Sequence, residues 1–304
     1  RAGVQSPLVP LVASIPSPST GTIDLGPFTI HLYGLTLLVA IAAATYITGR
    51  RWVRHGGEWD LIYRCAIWGV AAGIVGARLY HVITSWDEVP GGWTGPFAIW
   101  KGGLGVWGGI AAGCLAGAFV ARRSGANVWL LADCLAPGLL VAQAIGRLGN
   151  WWNQELFGRP TDLPWGLEID PANRPLSAVE HATFHPTFLY EIIWNLAVAA
   201  FLVFVLERRY KVPPPALFAA YIALYCFGRF WIELIRIDTA NHILGMRVNN
   251  WVSLLGFAFA TVWFFMIVGR GRQPGERRRR RRFRRAGRDA TKPPPKMAIP
   301  KSRP

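Results

Sequence analysis

The sequence predicts an all-α polytopic membrane protein: seven transmembrane helices, N-terminus outside, C-terminus cytoplasmic, and a small outward-facing cap between helices 4 and 5. Three observations carry that fold class. Apolar side chains make up 52% of the 304 residues and charged ones only 16%, too few to coat a soluble fold, where about a quarter is usual. Seven apolar stretches approach the length needed to cross a hydrocarbon core, about 20 residues. The basic residues between them fall mainly on alternate loops, as the positive-inside bias requires. Disorder over most of the length is excluded by the same apolar content.

The stretches run over 30–49, 61–83, 103–121, 127–146, 186–206, 213–235 and 250–268. Gly69, Gly73 and Gly76 in the second, with Gly102, Gly103, Gly105, Gly108 and Gly109 in the third, suit close helix–helix approach, and packing alone explains most of them. Pro213, Pro214 and Pro215 fit the first turn of the sixth, where a missing N–H does no harm. On one side lie Arg50, Arg51, Arg54, Arg122, Arg123, Arg208, Arg209 and Lys211, and after the last span come fifteen more basic residues from Arg270 to Arg303. The opposite side holds fewer, which orients the chain.

Three parts follow: an outer segment at 1–28, a seven-helix domain at 29–268 and a basic, Pro-rich tail at 269–304 expected to be disordered. Residues 1–28 lack a charged start followed by a long apolar run, so a cleaved signal peptide is not expected. In isolation, residues 277–288 resemble a nucleic-acid patch. Directly after a membrane span, the run Arg277 to Arg282 points instead to anionic lipid head groups, at about 1 kcal/mol per basic residue, or to a plain topology anchor; no nucleic-acid partner is expected. The connection at 151–185, with Trp151, Trp152 and Trp165, is too long for a turn and too aromatic for a linker, hence the cap. Cys65, Cys114, Cys134 and Cys226 sit in apolar stretches without a C-x-x-C or a histidine cluster. They are expected to be buried inert thiols, with no metal site.

Ionisable groups inside spans are costly and mark function by default. They are Arg64, Arg78, Asp133, Arg147, Glu191, Arg229 and Glu233, with His31 and Tyr33 at the start of the first span. Arg64 lies near a cytoplasmic end, where it can snorkel; the others are expected in the outer half. Arg147 and Asn150 share a helical face, followed by Glu155 and Arg159. Tyr225, Arg229 and Glu233 recur every four residues as one polar stripe that Arg236 extends. Two buried arginines repel unless carboxylates and an anionic ligand join them, and guanidinium forks match phosphate bidentately. A phosphate carried on a lipid is the ligand a membrane protein can offer there. The plainer alternative makes Arg147–Glu155 and Arg229–Glu233 structural ion pairs.

These residues carry a resemblance. Gly146-Arg147-Leu148-Gly149-Asn150, then Asn153, Glu155 and Gly158-Arg159, resembles the signature of bacterial prolipoprotein diacylglyceryl transferases. The likeness extends over roughly 27–268, through Tyr33-Gly34, Gly76-Ala77-Arg78-Leu79, Asp133 to Pro137, His185-Pro186, Leu189-Tyr190-Glu191, and Tyr225 with Arg229, Phe230 and Glu233. One departure is plain: Trp107 stands where many members carry a histidine before Gly-Gly.

The resemblance implies transfer of a diacylglyceryl group from phosphatidylglycerol to the lipobox cysteine of a prolipoprotein signal peptide in the bacterial cytoplasmic membrane. A thioether forms and glycerol phosphate leaves; neither cofactor nor metal is implied. Arg147 and Arg229 are then expected to stabilise the phosphate as its charge grows. Glu233, Glu191 and His185 are alternative bases for the thiol, with Tyr225 and Tyr33 positioning or relaying protons. Asn150 and Glu155 are expected to orient Arg147 or the glycerol hydroxyls and Asp133 to brace a helix end, with Arg78, Gly158 and Tyr190 among the substrate-binding positions. The rival readings are an anion channel or secondary transporter, weakened by the lack of internal repeats, and a non-catalytic lipid-binding scaffold. A retinal-type pump is excluded, since 250–268 has no lysine for a Schiff base.

Overall fold

A computed structural model describes residues 14–26 and 28–271. Seven helices form the body: α1 (Leu32–Arg54), α2 (Trp59–Thr84), α3 (Val106–Arg123), α4 (Val128–Trp152), α5 (Thr187–Ala200), α6 (Ala216–Ile235) and α7 (Val248–Gly271). Past Ala200, α5 continues in wider π-helical form over Phe201–Arg209. Six of the seven are long and apolar enough to cross a membrane. The exception, α3, has 18 residues that include four glycines and end on Arg122-Arg123, which dilutes its apolar character. The chain is an all-helical polytopic membrane protein, and the tail reading of 272–304 lies outside the described residues.

Small residues bring the helices together, as expected where lipid removes most of the hydrophobic drive for association. A methyl placed on Gly76 would stand 2.6 Å from the Gly108 carbonyl oxygen, and one on Gly108 would stand 2.2 Å from the Gly76 oxygen, so the α2 and α3 backbones touch. A second core joins α4, α5 and α6 through Ala136, Leu140, Val198, Leu202, Leu217 and Ala220. Outward-facing leucines, valines and phenylalanines on the helices remain exposed, as lipid contact requires.

Two sequence expectations change here. The prolines at 213–215 precede α6 rather than opening it: Pro215 is its N-cap, and the first helical residue is Ala216. Asp133 is not at the end of the bundle where Arg147, Glu191, Arg229 and Glu233 meet. It lies five residues into α4, at the opposite end of the bundle from the cap. There its Oδ1 accepts the Phe218 N–H at 2.9 Å, satisfying one of the unpaired donors at the start of α6. Spacing cannot reveal such a cap, because donor and acceptor are 85 positions apart. Beside it, Arg51 grips Glu207 through both terminal nitrogens at 2.8 and 3.0 Å, tying α1 to the end of α5. Asp133 thus caps α6, at the other end of the bundle from the charges around Glu191.

At the other end, the connection between α4 and α5 folds over its own apolar cluster of Phe157, Leu167, Ile169, Ala178 and Phe184, closed by Phe188 of α5. Strands β3 (Leu167–Glu168) and β4 (Thr183–Phe184) pair within it. The N-terminal segment joins this cap: Ile15 pairs with Leu167, and the Pro16 and Pro18 carbonyls accept the Trp151 indole and Gln154 amide hydrogens. A hairpin of β1 (Thr22–Leu25) and β2 (Phe28–His31) then leads into α1. A third, β5 (His242–Ile243) with β6 (Met246–Arg247), leads into α7.

Of the cysteines, Cys134 is buried, Cys65 and Cys226 are half-buried and Cys114 is exposed on α3; all four are free thiols. Burial of Cys114 was expected and is not found, because α3 presents it outward.

Candidate active site

The charged residues of α4, α5 and α6 meet at the cap end. Glu191 lies between the two arginines: Arg147 Nε is 2.5 Å from Oε2, and Arg229 Nη1 donates to Oε1 at 2.8 Å. On the α4 side, Arg147 Nη1 donates to Asn150 Oδ1 at 3.0 Å, and Asn150 Nδ2 donates to Glu155 at 2.8 Å. Arg147 thus reaches Glu155 through Asn150, with Glu191 as its direct ion partner. On the α6 side, Arg229 Nη2 pairs with Glu233 at 2.7 Å, and Arg236 follows at 3.4 Å, so Arg229, Glu233 and Arg236 of the stripe form one connected ion path.

The path continues into α7. Asn249 Nδ2 donates to Glu233 Oε1 at 3.1 Å, and Arg247 Nε stands at the same distance, 3.1 Å, although its N–H is not aimed along that line. Arg236 forks onto Asp238 at 2.7 and 2.8 Å, and Arg247 Nη2 donates to the same carboxylate at 2.8 Å. Burial pushes the Asp238 carboxyl up, but hydrogen bonds and charge from Arg236 and Arg247 outweigh it and hold the pKa below the ordinary carboxylate value. Sequence pattern does not single out Arg247, Asn249 and Asp238, because they lie outside the apolar cores of the spans, in positions where a charge is not costly. The signal available was that Arg236 and Arg247 bracket the short connection between α6 and α7, with Asp238 between them.

Four arginines and four carboxylates so arranged balance formally, which makes burial of the string tolerable. The exposure is uneven. The side chains of Glu191 and Glu233 are 5% and 0% exposed, whereas those of Arg147 and Arg229 retain 20% and 15%. Around Glu191 the guanidinium groups are the more exposed, and further along the string the Asp238 carboxylate is 27% exposed. A cleft of about 410 Å³ opens beside the string, with Glu155 and Asp238 among its lining residues.

The glycines and aromatics of the signature set this geometry. Tyr33 lies flat on Gly149: a methyl there would come within 2.4 Å of the ring. Gly149→Ala should therefore displace Tyr33 and cut turnover at least tenfold while the helices persist; wild-type turnover would show that the ring has room to move. Gly158 threads between His185 and the end of α6, with a would-be methyl 2.8 Å from both the His185 and Ile235 side chains and its N–H donated to the His185 carbonyl at 2.9 Å. Its demand is steric, so its place is in the frame of the site.

Tyr225 sits one turn below Arg229 with its ring 6.1 Å from that of Tyr221. Tyr190 accepts the Trp165 indole hydrogen at 3.1 Å and lies 3.0 Å from His185 Nδ1. With one lone pair of the hydroxyl taken by Trp165, its hydrogen is free for Nδ1. Burial first, and Arg159 second, lower the His185 pKa from its ordinary 6.5, favouring the neutral ring.

Arg78 does not join the string. Its guanidinium donates to the backbone oxygens of Gly95, Pro96, Gly102 and Gly103 at 2.7 to 3.0 Å. It pins the connection between α2 and α3. Arg64 forms an exposed pair with Asp60 at 2.8 Å. Trp107 is half exposed on the second residue of α3.

Fold and site together define a class: a multi-pass membrane protein with a buried arginine–carboxylate string at one end of its helices. The model of the family described as prolipoprotein diacylglyceryl transferase matches residues 20–266. The chain is 50% identical over 260 residues to the phosphatidylglycerol–prolipoprotein diacylglyceryl transferase of Cutibacterium acnes, covering 84% of this chain and 88% of that one. Its identity to the enzyme of the same name from Frankia alni is 49%, over 84% and 68% of the two chains. To the Streptomyces coelicolor enzyme numbered 2 it is 46%, over 87% and 83%. The chain belongs to the prolipoprotein diacylglyceryl transferase family, whose members reside in the bacterial cytoplasmic membrane.

Proposed function

We propose that Arg147 and Arg229 jointly hold the phosphodiester of phosphatidylglycerol and stabilise the charge it gains as the family's reaction proceeds. That reaction moves the diacylglyceryl group from phosphatidylglycerol to a prolipoprotein. The cysteine sulfur forms a bond to the glyceryl carbon, the bond from that carbon to the phosphate oxygen breaks, and glycerol phosphate departs with the electron pair. The phosphate passes from one negative charge towards two, so fixed guanidinium groups favour the transition state over the substrate. The observation that carries the reading is the single carboxylate, Glu191, shared by two arginines that are themselves the more exposed members. With purified protein, phosphatidylglycerol and a lipobox peptide, the peptide should gain the diacylglyceryl mass and release an equal amount of glycerol phosphate. Lipid binding without that release would leave only a scaffold.

A thiol with pKa near 8.5 is mostly protonated at neutral pH and needs a base. Glu233 is fully buried and surrounded by three arginines and Asn249, and Glu191 is occupied by two. His185 is the base in this reading, receiving the proton through the Tyr190 hydroxyl. The base works neutral and its pKa is lowered, so activity should hold as pH falls through 6.5 and fail only below it. His185→Gln should lose that acid limb and slow turnover; an unchanged limb in the variant would remove His185 from the proton path.

The loop charges support an arrangement in which all seven helices span, with the cap and N-terminus outside and the C-terminus in the cytoplasm. Residues 269–304 then form a cytoplasmic tail whose arginines meet anionic lipid. With native cysteines removed, an impermeant thiol reagent should label Thr161→Cys in intact cells and leave Ser124→Cys untouched; the reverse would invert the topology.

A further inference from the structure

Below the arginines the bundle holds polar groups that the phosphate clamp does not use. Arg147 on α4 and Glu191 on α5 face each other at 2.5 Å. Gln143 precedes Arg147 by four residues and Asn195 follows Glu191 by four. On antiparallel helices, both therefore lie on the same faces, one turn or about 5.4 Å deeper. Asn195 is only 2% exposed, and its Nδ2 is a buried donor without a partner, as Gln143 Oε1 is a buried acceptor without one. Gln143 Nε2 donates to the Tyr221 hydroxyl at 2.9 Å. An amide hydrogen left unpaired at this depth is costly, because lipid offers no substitute partner. The unpaired Asn195 donor, one turn beneath an anion site, calls for a ligand that presents an acceptor.

We propose that Gln143 and Asn195 form a subsite that reads the ester carbonyls of the diacylglyceryl group. This deepens the preceding reading and rests on the arginine pair holding the phosphate. In a glycerophospholipid only the glycerol carbons separate the phosphate from the ester groups, a span of the same order as one helical turn. With the phosphate at Arg147 and Arg229, the carbonyls reach the level of the amides. Asn195 Nδ2 donates to one carbonyl. For the other, the Gln143 amide turns over: the Tyr221 hydroxyl, which can donate as well as accept, gives its hydrogen to Oε1, and Nε2 is released for the lipid. Asn195 Nδ2 and Gln143 Oε1, the two atoms without partners, are then both satisfied. The esters make and break no bond in the transfer, so the subsite acts through recognition alone. Its effect is to favour ester-linked over ether-linked lipid.

The test compares phosphatidylglycerol carrying ester-linked chains with the ether-linked analogue of equal chain length, in mixed micelles with a lipobox peptide. Wild-type enzyme should favour the ester lipid about tenfold in kcat/KM, the worth of one or two buried hydrogen bonds. Asn195→Leu and Gln143→Met keep the volume and remove the hydrogen bonding. Each should slow the ester lipid severalfold, leave the ether lipid nearly unchanged, and move the ratio towards one. Equal use of the two lipids by wild-type enzyme would overturn the subsite without recourse to any variant. So would a proportional loss on both lipids in the variants, which is the result expected if the amides merely hold a water molecule or pack the bundle. Arg147→Lys separates the two proposals, since loss of the phosphate clamp slows both lipids alike. If that variant is fully active, the clamp fails and the placement of the carbonyls fails with it; if it is slow on both lipids while Asn195→Leu keeps the ester preference, the clamp stands and the ester subsite fails.

Discussion

Arg147→Ala and Arg229→Ala should each cut thioether formation by about tenfold to a hundredfold or more, since one charge-assisted contact is worth about 1.5–3 kcal/mol. Arg147→Lys and Arg229→Lys should also lose much of the activity. An ammonium keeps the charge but cannot contact Glu191 and an oxyanion in one planar fork. The losses should be non-additive, because both side chains act on one carboxylate and one phosphate. Arg64→Lys provides the contrast: its pair with Asp60 is exposed, and such pairs contribute little, so turnover should be unchanged. The measurement is diacylglyceryl transfer to a lipobox peptide, with folding verified for each variant. Full turnover in both alanine variants would reduce the arginines to structural ion pairs.

Glu233→Gln should be the most destabilising single change in the site. This carboxylate is fully buried and lies against Arg229, Arg236 and Arg247. Neutralising it leaves three guanidinium groups sharing Glu191 and Asp238, a loss of about 3–5 kcal/mol by comparison with other broken buried pairs. Thermal unfolding in detergent should fall by many degrees, with activity falling alongside. Asn249→Ala removes one hydrogen bond to the Glu233 carboxylate and should cost about 1.5–3 kcal/mol, less than loss of the charge itself. Equal stability in wild type and Glu233→Gln would mean that the arginines find other counter-charges.

Much of this architecture can be read from composition and period. Spans stand out because crossing lipid needs long apolar runs, and charges within them stand out because they are so costly there. Arg229 and Glu233 pair at the spacing of one helical turn, and Arg147 meets Asn150 three residues away. Helical geometry alone fixes such neighbours. Contacts between elements obey no such rule. Nothing in the spacing couples Glu191 to Arg147, Arg247 to Glu233, or Asp133 to the first turn of α6, nor does it bring Ile15 into the cap.

The sequence by itself determined the class of protein, the helices and the residues that carry charge into them, because each follows from local hydropathy and helical period. Only the tertiary structure decided which charges meet. It drew Asp133 and Arg78 away from the site, making one a helix cap and the other a loop anchor, and it set Glu191 between the two arginines. The physical reason is that a buried charge must be neutralised within about 3–4 Å. Which partner comes that close depends on how the helices pack, with glycines such as Gly76 and Gly108 controlling the approach of whole backbones.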